Sequence, residues 1–399
     1  MARTANKFKP DPDIIDGADD PTGLDRVLPI SAANEAERLI VIGGGAGGLE
    51  LVVKLAKKFR RSHDVEVVLI DKNPTHIWKP LLHEVATGSM NSYHDEASYR
   101  LIAKKHGFRF ILGQVVDIDL ASKQVALAPV EDASGSEMMP ERVIDYKTLC
   151  VAVGSLSNDF GIPGVRDYSK QLDSRNQAEM FHQQFTALLH RVNSSAEAAS
   201  ELSIAIVGGG ATGVELAADM HNVVQRLREY GFEHFSRDSL RVVIIDAAPI
   251  LLPRLPERVG VSVKRELERI GVDVMVNTRV AEVTADAVMT SEGESIPADI
   301  SVWAAGVKAP AWLQAAGFPV DRLGRIDELL VSDQFFRADL VRELRRESAF
   351  QDHYRDAVGV MLFPQATVEL PGDLGVTRSS NVLVVATVSQ TDTSDATFW

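Results

Sequence analysis

The stretch Arg38-Leu-Ile-Val-Ile-Gly43-Gly-Gly-Ala-Gly-Gly48-Leu-Glu-Leu51 decides the fold. After Arg38, the residues Leu39 to Ile42 are apolar and rich in β-branched side chains, which predicts a buried strand. Gly43, Gly45 and Gly48 then satisfy G-x-G-x-x-G. The first glycine permits a tight turn, the second lets backbone approach a pyrophosphate, and the third lets the following helix pack on the strand. In LELVVKLAKKF the residues Leu49, Val52, Val53 and Ala56 share one helical face. A second apolar run, Val65 to Ile70, ends at Asp71, where a carboxylate can accept hydrogen bonds from a ribose. Strand, glycine turn, helix, strand and acid in this order predict a dinucleotide site, with the diphosphate on the helix N-terminus.

The order recurs. Ser203-Ile-Ala-Ile-Val207 precedes Gly208, Gly210 and Gly213, a helical segment, the run Arg241 to Ile245, and Asp246. Asp246 lies farther from Gly208 than the usual ~20 residues, which calls for an extended connecting helix. Ala247-Ala248-Pro249 follow it without an arginine, so a 2′-phosphate would face Asp246 unpaired. That favours NADH over NADPH at the second site.

Two such units predict an α/β protein with two Rossmann-like dinucleotide-binding domains. One nucleotide can be a fixed flavin and the other a passing hydride donor, the chemistry belonging to the cofactors. Composition narrows the partners. The 399 residues suffice for two or three domains, and a net charge of −14 argues against a nucleic-acid partner. The single cysteine, Cys150, is expected to be buried and excludes Cys-x-x-Cys disulfide reduction. His76, His83 and His94 lack the spacing of a zinc helix, and no metal site is expected. Residues 1–37 read as a polar, mobile tail without a secretory h-region. No apolar run approaches the ~18 residues of a membrane span, so a cytoplasmic or membrane-surface location is expected.

With GGGAGGLEL from Gly43, VVLIDKNPTHIWKPLLHEVATGS from Val67, VGGGATGVELAADMHNVV, IIDAAPILLPRLPERV and Ala298-Asp299-Ile-Ser-Val-Trp-Ala-Ala-Gly306-Val-Lys-Ala-Pro310, the chain resembles the type II NADH dehydrogenases, single-chain NADH:quinone oxidoreductases. Asp145 to Ser155 and Asn158 to Gly164 belong to the same resemblance, which runs through residues 38–326. It implies an FAD domain at 38–160 and 299–326, with an NAD domain inserted at 161–298. It implies that Gly43, Gly45, Ala46, Gly47, Gly48, Asp71 and Lys72 hold the FAD diphosphate and ribose. Lys79, Pro80 and Leu81 would lie near the isoalloxazine, and Val116 would meet adenine with its backbone. Val153-Gly154 and Ala305-Gly306 would form the two crossings, on the flavin and nicotinamide sides. Glu215 would face the contact between the two cofactors, where its alternative role is to stabilise its own helix terminus. Quinone, a membrane surface and a homodimer are the partners the resemblance brings with it.

The resemblance stops after Ile326. The family continues there into a strand ending in Gly-Asp-Cys-Ala, whose aspartate contacts FAD, then a quinone-pocket helix and an amphipathic anchor. Residues 327–360 instead read as a charged segment, and the last thirty or so as polar with one short apolar strand. Gly372-Asp373 is the one displaced counterpart, and a loop turn is its plainer reading. A nucleotide-binding protein without turnover, or a reductase of a protein acceptor, are the competing expectations. The second needs a basic docking surface that the acidic balance disfavours.

Overall fold

Arg38 to Ile42 forms the middle of a parallel sheet, as the apolar run demands. The computed structural model describes residues 36–92, 96–132, 134–194, 201–227, 231–232, 239–318, 320–322, 324 and 381–384. Residues 1–35 of the expected tail, His94, the 327–360 segment and Gly372-Asp373 lie outside them, while Glu37, expected in the tail, already belongs to the first strand.

From β1 (Glu37–Ile42) the chain turns through the first glycine loop into α1 (Ala46–Phe59) and β2 (Val65–Asp71). Two helices, α2 (Leu82–Thr87) and α3 (Tyr99–His106), precede β3 (Arg109–Leu112). An antiparallel meander of β4 (Val115–Asp119), β5 (Gln124–Leu127) and β6 (Arg142–Asp145) leads to β7 (Thr148–Val151). The chain leaves this unit along β8 (Leu156–Ser157) and enters the second by β9 (Ser169–Lys170) and α4 (Arg175–Ser194). There β10 (Leu202–Val207), α5 (Ala211–Leu227) and β11 (Leu240–Ile245) repeat the opening motif. After α6 (Glu257–Ile270) and β12 (Val272–Met275) comes a second meander, β13 (Val280–Val283), β14 (Ala287–Thr290) and β15 (Ser295–Pro297). Then β16 (Ile300–Trp303) and β17 (Val307–Lys308) follow, and the last described strand is β18 (Asn381–Val384).

The two sheets share one plan. The first runs β18-β7-β1-β2-β3 and the second β9-β16-β10-β11-β12, every pairing within them parallel. Strands of such sheets are covered on both faces and need continuous apolar runs. Leu39 to Ile42 and Ile204 to Val207 supply them, all buried. Helix α1 turns Leu51, Val52, Leu55 and Ala56 inward, with Gly48 beneath them. Leu49 and Val53, expected on that face, lie half-buried at its edge, because the buried stripe follows the third glycine onto the strand. Cys150 is fully buried in β7, and burial pushes its thiol up to about 12. At neutral pH that removes the thiolate on which redox chemistry depends.

Two sequence boundaries move. Ile300–Trp303 was expected in the first domain, yet β16 pairs with β10 inside the second sheet. All four residues are buried, as a continuous apolar run must be inside a parallel sheet whose two faces are covered. The division therefore falls after Trp303 rather than at 299. The C-terminal strand does not stand apart either. Asn381–Val384 lies parallel to β7, Leu383 opposite Cys150, and forms the outer strand of the first sheet.

Candidate dinucleotide-binding site

Both glycine loops are built alike, and the reason is steric. Gly43 (φ 95°) and Gly208 (φ 119°) sit in the left-handed region that L side chains avoid. A Cβ on Gly43 would overlap the Ala152 carbonyl, and one on Gly208 would lie 2.6 Å from Ala304 C and 2.8 Å from Ala305 N. Each loop thus presses against the crossing segment expected beside it, Val153-Gly154 for the first and Ala305-Gly306 for the second. The third glycines close each turn. A Cβ on Gly48 would overlap the Gly43 oxygen, and one on Gly213 the Gly208 oxygen. Gly45 differs, because its Cβ would meet no described atom within 4 Å. The space it leaves is open at the N-terminus of α1, where Leu49 N donates to Gly45 O at 2.9 Å. In the second loop Val214 N donates to Gly210 O at 3.1 Å.

The strand-end acids brace these loops. Asp71 Oδ2 accepts from Gly44 N at 2.6 Å, and its Oδ1 accepts from Asn73 N at 2.8 Å and Asn73 Nδ2 at 3.2 Å. Asp246 accepts from Gly209 N and, at 2.6 Å, from Ala248 N. A carboxylate offers about four acceptor positions, so each acid retains capacity for ribose hydroxyls. Neither α1 nor α5 carries an acidic residue in its first turn, which leaves their positive ends to an outside anion. Ala46 is half-buried and Gly47 buried in α1, while Lys72 projects into solvent beside Asp71.

A second layer behind the first loop escapes a motif search. Tyr99 Oη donates to Gly44 O at 2.6 Å, and His76 Nδ1 lies 2.9 Å from the same oxygen. The tyrosine ring fills the space a Gly44 Cβ would need. Burial raises the Tyr99 hydroxyl well above its ordinary pKa, so it stays a donor, and burial lowers the His76 pKa. The aromatic at 99 stands far from the glycines in sequence, and no periodicity links them.

The segment after β2 reaches across to the second unit. Lys79 opens a single helical turn through Pro80 and Leu81, and its Nζ donates to Ser155 O at 2.8 Å and Asp173 Oδ1 at 3.1 Å. Helix α2 then packs on α4 and α5. On it, His83 is buried, with Nδ1 3.6 Å from Glu215 Oε2 and Nε2 3.5 Å from Asp219 Oδ2. Glu215 is thereby placed two residues beyond Gly213, half-exposed, beside His83 of α2. Burial raises the pKa of Glu215 and of Asp219. The pair's i, i+4 spacing on one helix was the signal available for Asp219, and His83 gave none. Val116 lies at a register shift of the first meander, without a Cα partner between Val115 and Asp117, and is half-exposed. Gly154 (φ 71°) and Gly306 (φ 62°) turn the two crossings. Among the described residues no group of three His, Cys, Asp or Glu is placed to hold a metal ion.

Comparison with known proteins matches this arrangement. The family described as pyridine nucleotide-disulphide oxidoreductase covers residues 37–340. A type II NADH:quinone oxidoreductase of Haemophilus influenzae is 38% identical over 311 residues, 74% of this chain and 70% of the relative. The type II NADH:quinone oxidoreductase NdhA of Mycobacterium tuberculosis is 31% identical over 315 residues, 74% of this chain and 63% of that one. Among solved structures, NDH2 from Plasmodium falciparum in complex with NADH is similar in fold, with a TM-score of 0.62 at 20% identity. The match covers 74% of this chain and 60% of that one. The chain thus spans between 60% and 70% of the length of these three proteins. The chain belongs to the pyridine nucleotide-disulphide oxidoreductase family and, within it, to the type II NADH:quinone oxidoreductases.

Proposed function

We propose that the chain oxidises NADH and reduces a quinone, with FAD in the first glycine loop and NADH in the second. The balance is NADH, one proton and quinone giving NAD⁺ and quinol. One observation carries the reading: the segment from Lys79 to Thr87 leaves the first unit and packs on the helix that begins at the second loop. That contact joins the two cradles, as hydride transfer over roughly 3–3.5 Å requires.

The residues fit FAD. The open space at Gly45, the acid-free start of α1 and the spare acceptor capacity of Asp71 suit a diphosphate and its ribose. When bound, FAD supplies hydride acceptance from NADH and two-electron delivery to the quinone. The chain supplies positioning. Tyr99 and His76 fix the Gly44 carbonyl and hence the first loop. Val116 offers unpaired backbone to adenine. Lys79 ties its loop to Ser155 and Asp173, which holds the crossing near the flavin site. Asp246 receives the NADH ribose and repels a 2′-phosphate. Glu215 presents a carboxyl where the two cradles meet. A membrane-borne quinone would bring the enzyme to a membrane surface. No described helix is long and apolar enough to cross one.

The test is an anaerobic absorption spectrum of the purified chain before and after NADH, followed by a soluble quinone. Flavin bands that bleach with NADH and return with quinone are expected. A colourless protein that cannot be reconstituted with FAD overturns the reading. Flavin that bleaches without steady NADH oxidation identifies a binding protein without turnover.

A further inference from the structure

Glu215 sits in an unfavourable place for a negative charge. Burial raises its pKa first, and Asp219 and Glu84 add like charge. Asp219 lies one helical turn away on the same face, itself raised by burial. Between them stands one group of opposite potential charge. His83 turns Nδ1 to Glu215 at 3.6 Å and Nε2 to Asp219 at 3.5 Å, from the buried face of α2. At these separations the ring faces both carboxylates at ion-pair distance rather than through short hydrogen bonds, and Asp219 Oδ2 is buried without a hydrogen-bond partner among the described residues.

Glu84 of α2 adds like charge beside Glu215, and other charged groups on the elements packed there are engaged elsewhere. Lys79 pairs with Asp173, and Glu179 of α4 pairs with Arg175. The His182 ring of α4 lies against Gly88, just beyond the end of α2.

We propose that His83 is a positioning residue for the NADH:quinone reaction: from α2 it holds the Glu215 carboxyl in place on α5, in competition with Asp219. The proposal rests on the functional reading above, in which Glu215 lies at the meeting of the cradles. Asp219 then acts in the opposite sense, both competing for the imidazole and repelling charge on Glu215. The two side chains therefore tune one carboxyl in opposite directions.

The test is the pH profile of kcat and kcat/KM for NADH in the flavin-loaded enzyme, for wild type, His83→Gln and Asp219→Asn. In His83→Gln the acidic limb should move up by about one pH unit, with activity recovering at high pH. In Asp219→Asn the acidic limb should move down. A merely structural role would lower flavin content or thermal stability in both variants without moving the limb. Limbs that stay put, or shift the same way, overturn the proposal. An infrared titration of the carboxyl band needs no turnover and keeps the two claims separable. In the NADH-free chain, a carboxyl titrating above the ordinary range should rise further in His83→Gln, and the raised carboxyl that remains in Asp219→Asn should fall. If wild type fails to oxidise NADH yet the band behaves so, the functional reading fails and the role of His83 in setting Glu215 stands. A band unmoved by His83→Gln overturns that role whatever the activity.

Discussion

Gly45→Ala and Gly48→Ala place the same methyl group on neighbouring turns of one loop, and their consequences should part. Gly45 has φ −60° and ψ −176° at the N-cap of α1, a conformation alanine adopts, and the added Cβ meets no described atom within 4 Å. Restricting the unfolded chain gains about 0.4–1 kcal/mol. Loss of glycine at an N-cap without a side-chain cap bond costs about half a kcal/mol. The apoprotein should therefore stay within about 0.5 kcal/mol of wild type, a Tm change below about 2 °C. The ligand meets a different surface. A methyl group over the helix start pushes a phosphate off the backbone donors, and each charge-assisted bond lost is worth about 1.5–3 kcal/mol. The FAD Kd should rise roughly 10- to 100-fold. Gly48→Ala drives its Cβ into the Gly43 carbonyl, so α1 must move off β1. Overpacking of this kind costs about 1–3 kcal/mol or more before any ligand is added. Thermal scans of the apoproteins and fluorescence titration with FAD separate the two. If Gly45→Ala binds FAD as wild type does, the diphosphate does not lie over Gly45 and the steric account of the loop is wrong.

Three further outcomes follow from the same geometry. Tyr99→Phe removes the 2.6 Å bond to Gly44 O but leaves His76, so a loss of about 1 kcal/mol and a roughly fivefold weaker FAD affinity are expected; unchanged FAD affinity would show that the second layer does not hold the loop. Asp246→Ala should raise the KM for NADH with little effect on kcat, and an unchanged KM rules out the second loop as its site. Arg166 and then Lys308 hold the Asp159 carboxyl well below its ordinary 3.8. Its stabilisation is thus full above that value and is lost as pH falls through the lowered one. Denaturant midpoints should show Asp159→Asn less stable than wild type at pH 7, with the gap narrowing below about pH 4.

The parts of the fold legible in sequence were those whose cause is local. Each glycine loop follows from a strand, a turn that needs φ above zero, and a helix that needs a bare third residue, all within a few positions. Gly43 and Gly208 could be named before any coordinates for that reason. Ile300–Trp303 was misplaced because a continuous apolar run tells which environment it needs and not which of two equivalent sheets supplies it. Asn381–Val384 could be read as a strand, while its partner β7 lies more than two hundred positions away, and no local pattern encodes that register. The candidate site divides the same way. Asp71 and Asp246 stand at strand ends and are found by counting. Tyr99, His76 and His83 act through contacts across 23 to 55 positions or more, and an isolated aromatic or histidine carries no mark of such a role.

A short strap of unusual backbone forms where the two crossings between the units meet. Strands β8 and β17 pair antiparallel, Leu156 opposite Lys308, where the chain leaves and re-enters the first unit. Asn158 N donates to Gly306 O at 3.1 Å, and Trp303 Nε1 donates to Asn158 O at 2.7 Å. Phe160 follows in the left-handed region, φ 50°, a conformation costing a bulky residue about 1–2 kcal/mol. Its neighbours hold it there. Asn158 Oδ1 accepts from Phe160 N at 3.0 Å, and Asp159 binds Arg166 and Lys308 on either side of the crossing. The Phe160 ring in turn occupies the space beside Gly306 that any side chain there would need. A strained residue persists where its surroundings over-determine it, and here the surroundings are the crossing segments themselves. The strain is thus met by the same bonds that join the two crossings. Loosening Asn158 or Asp159 would release Phe160 and, with it, the ring packed beside Gly306.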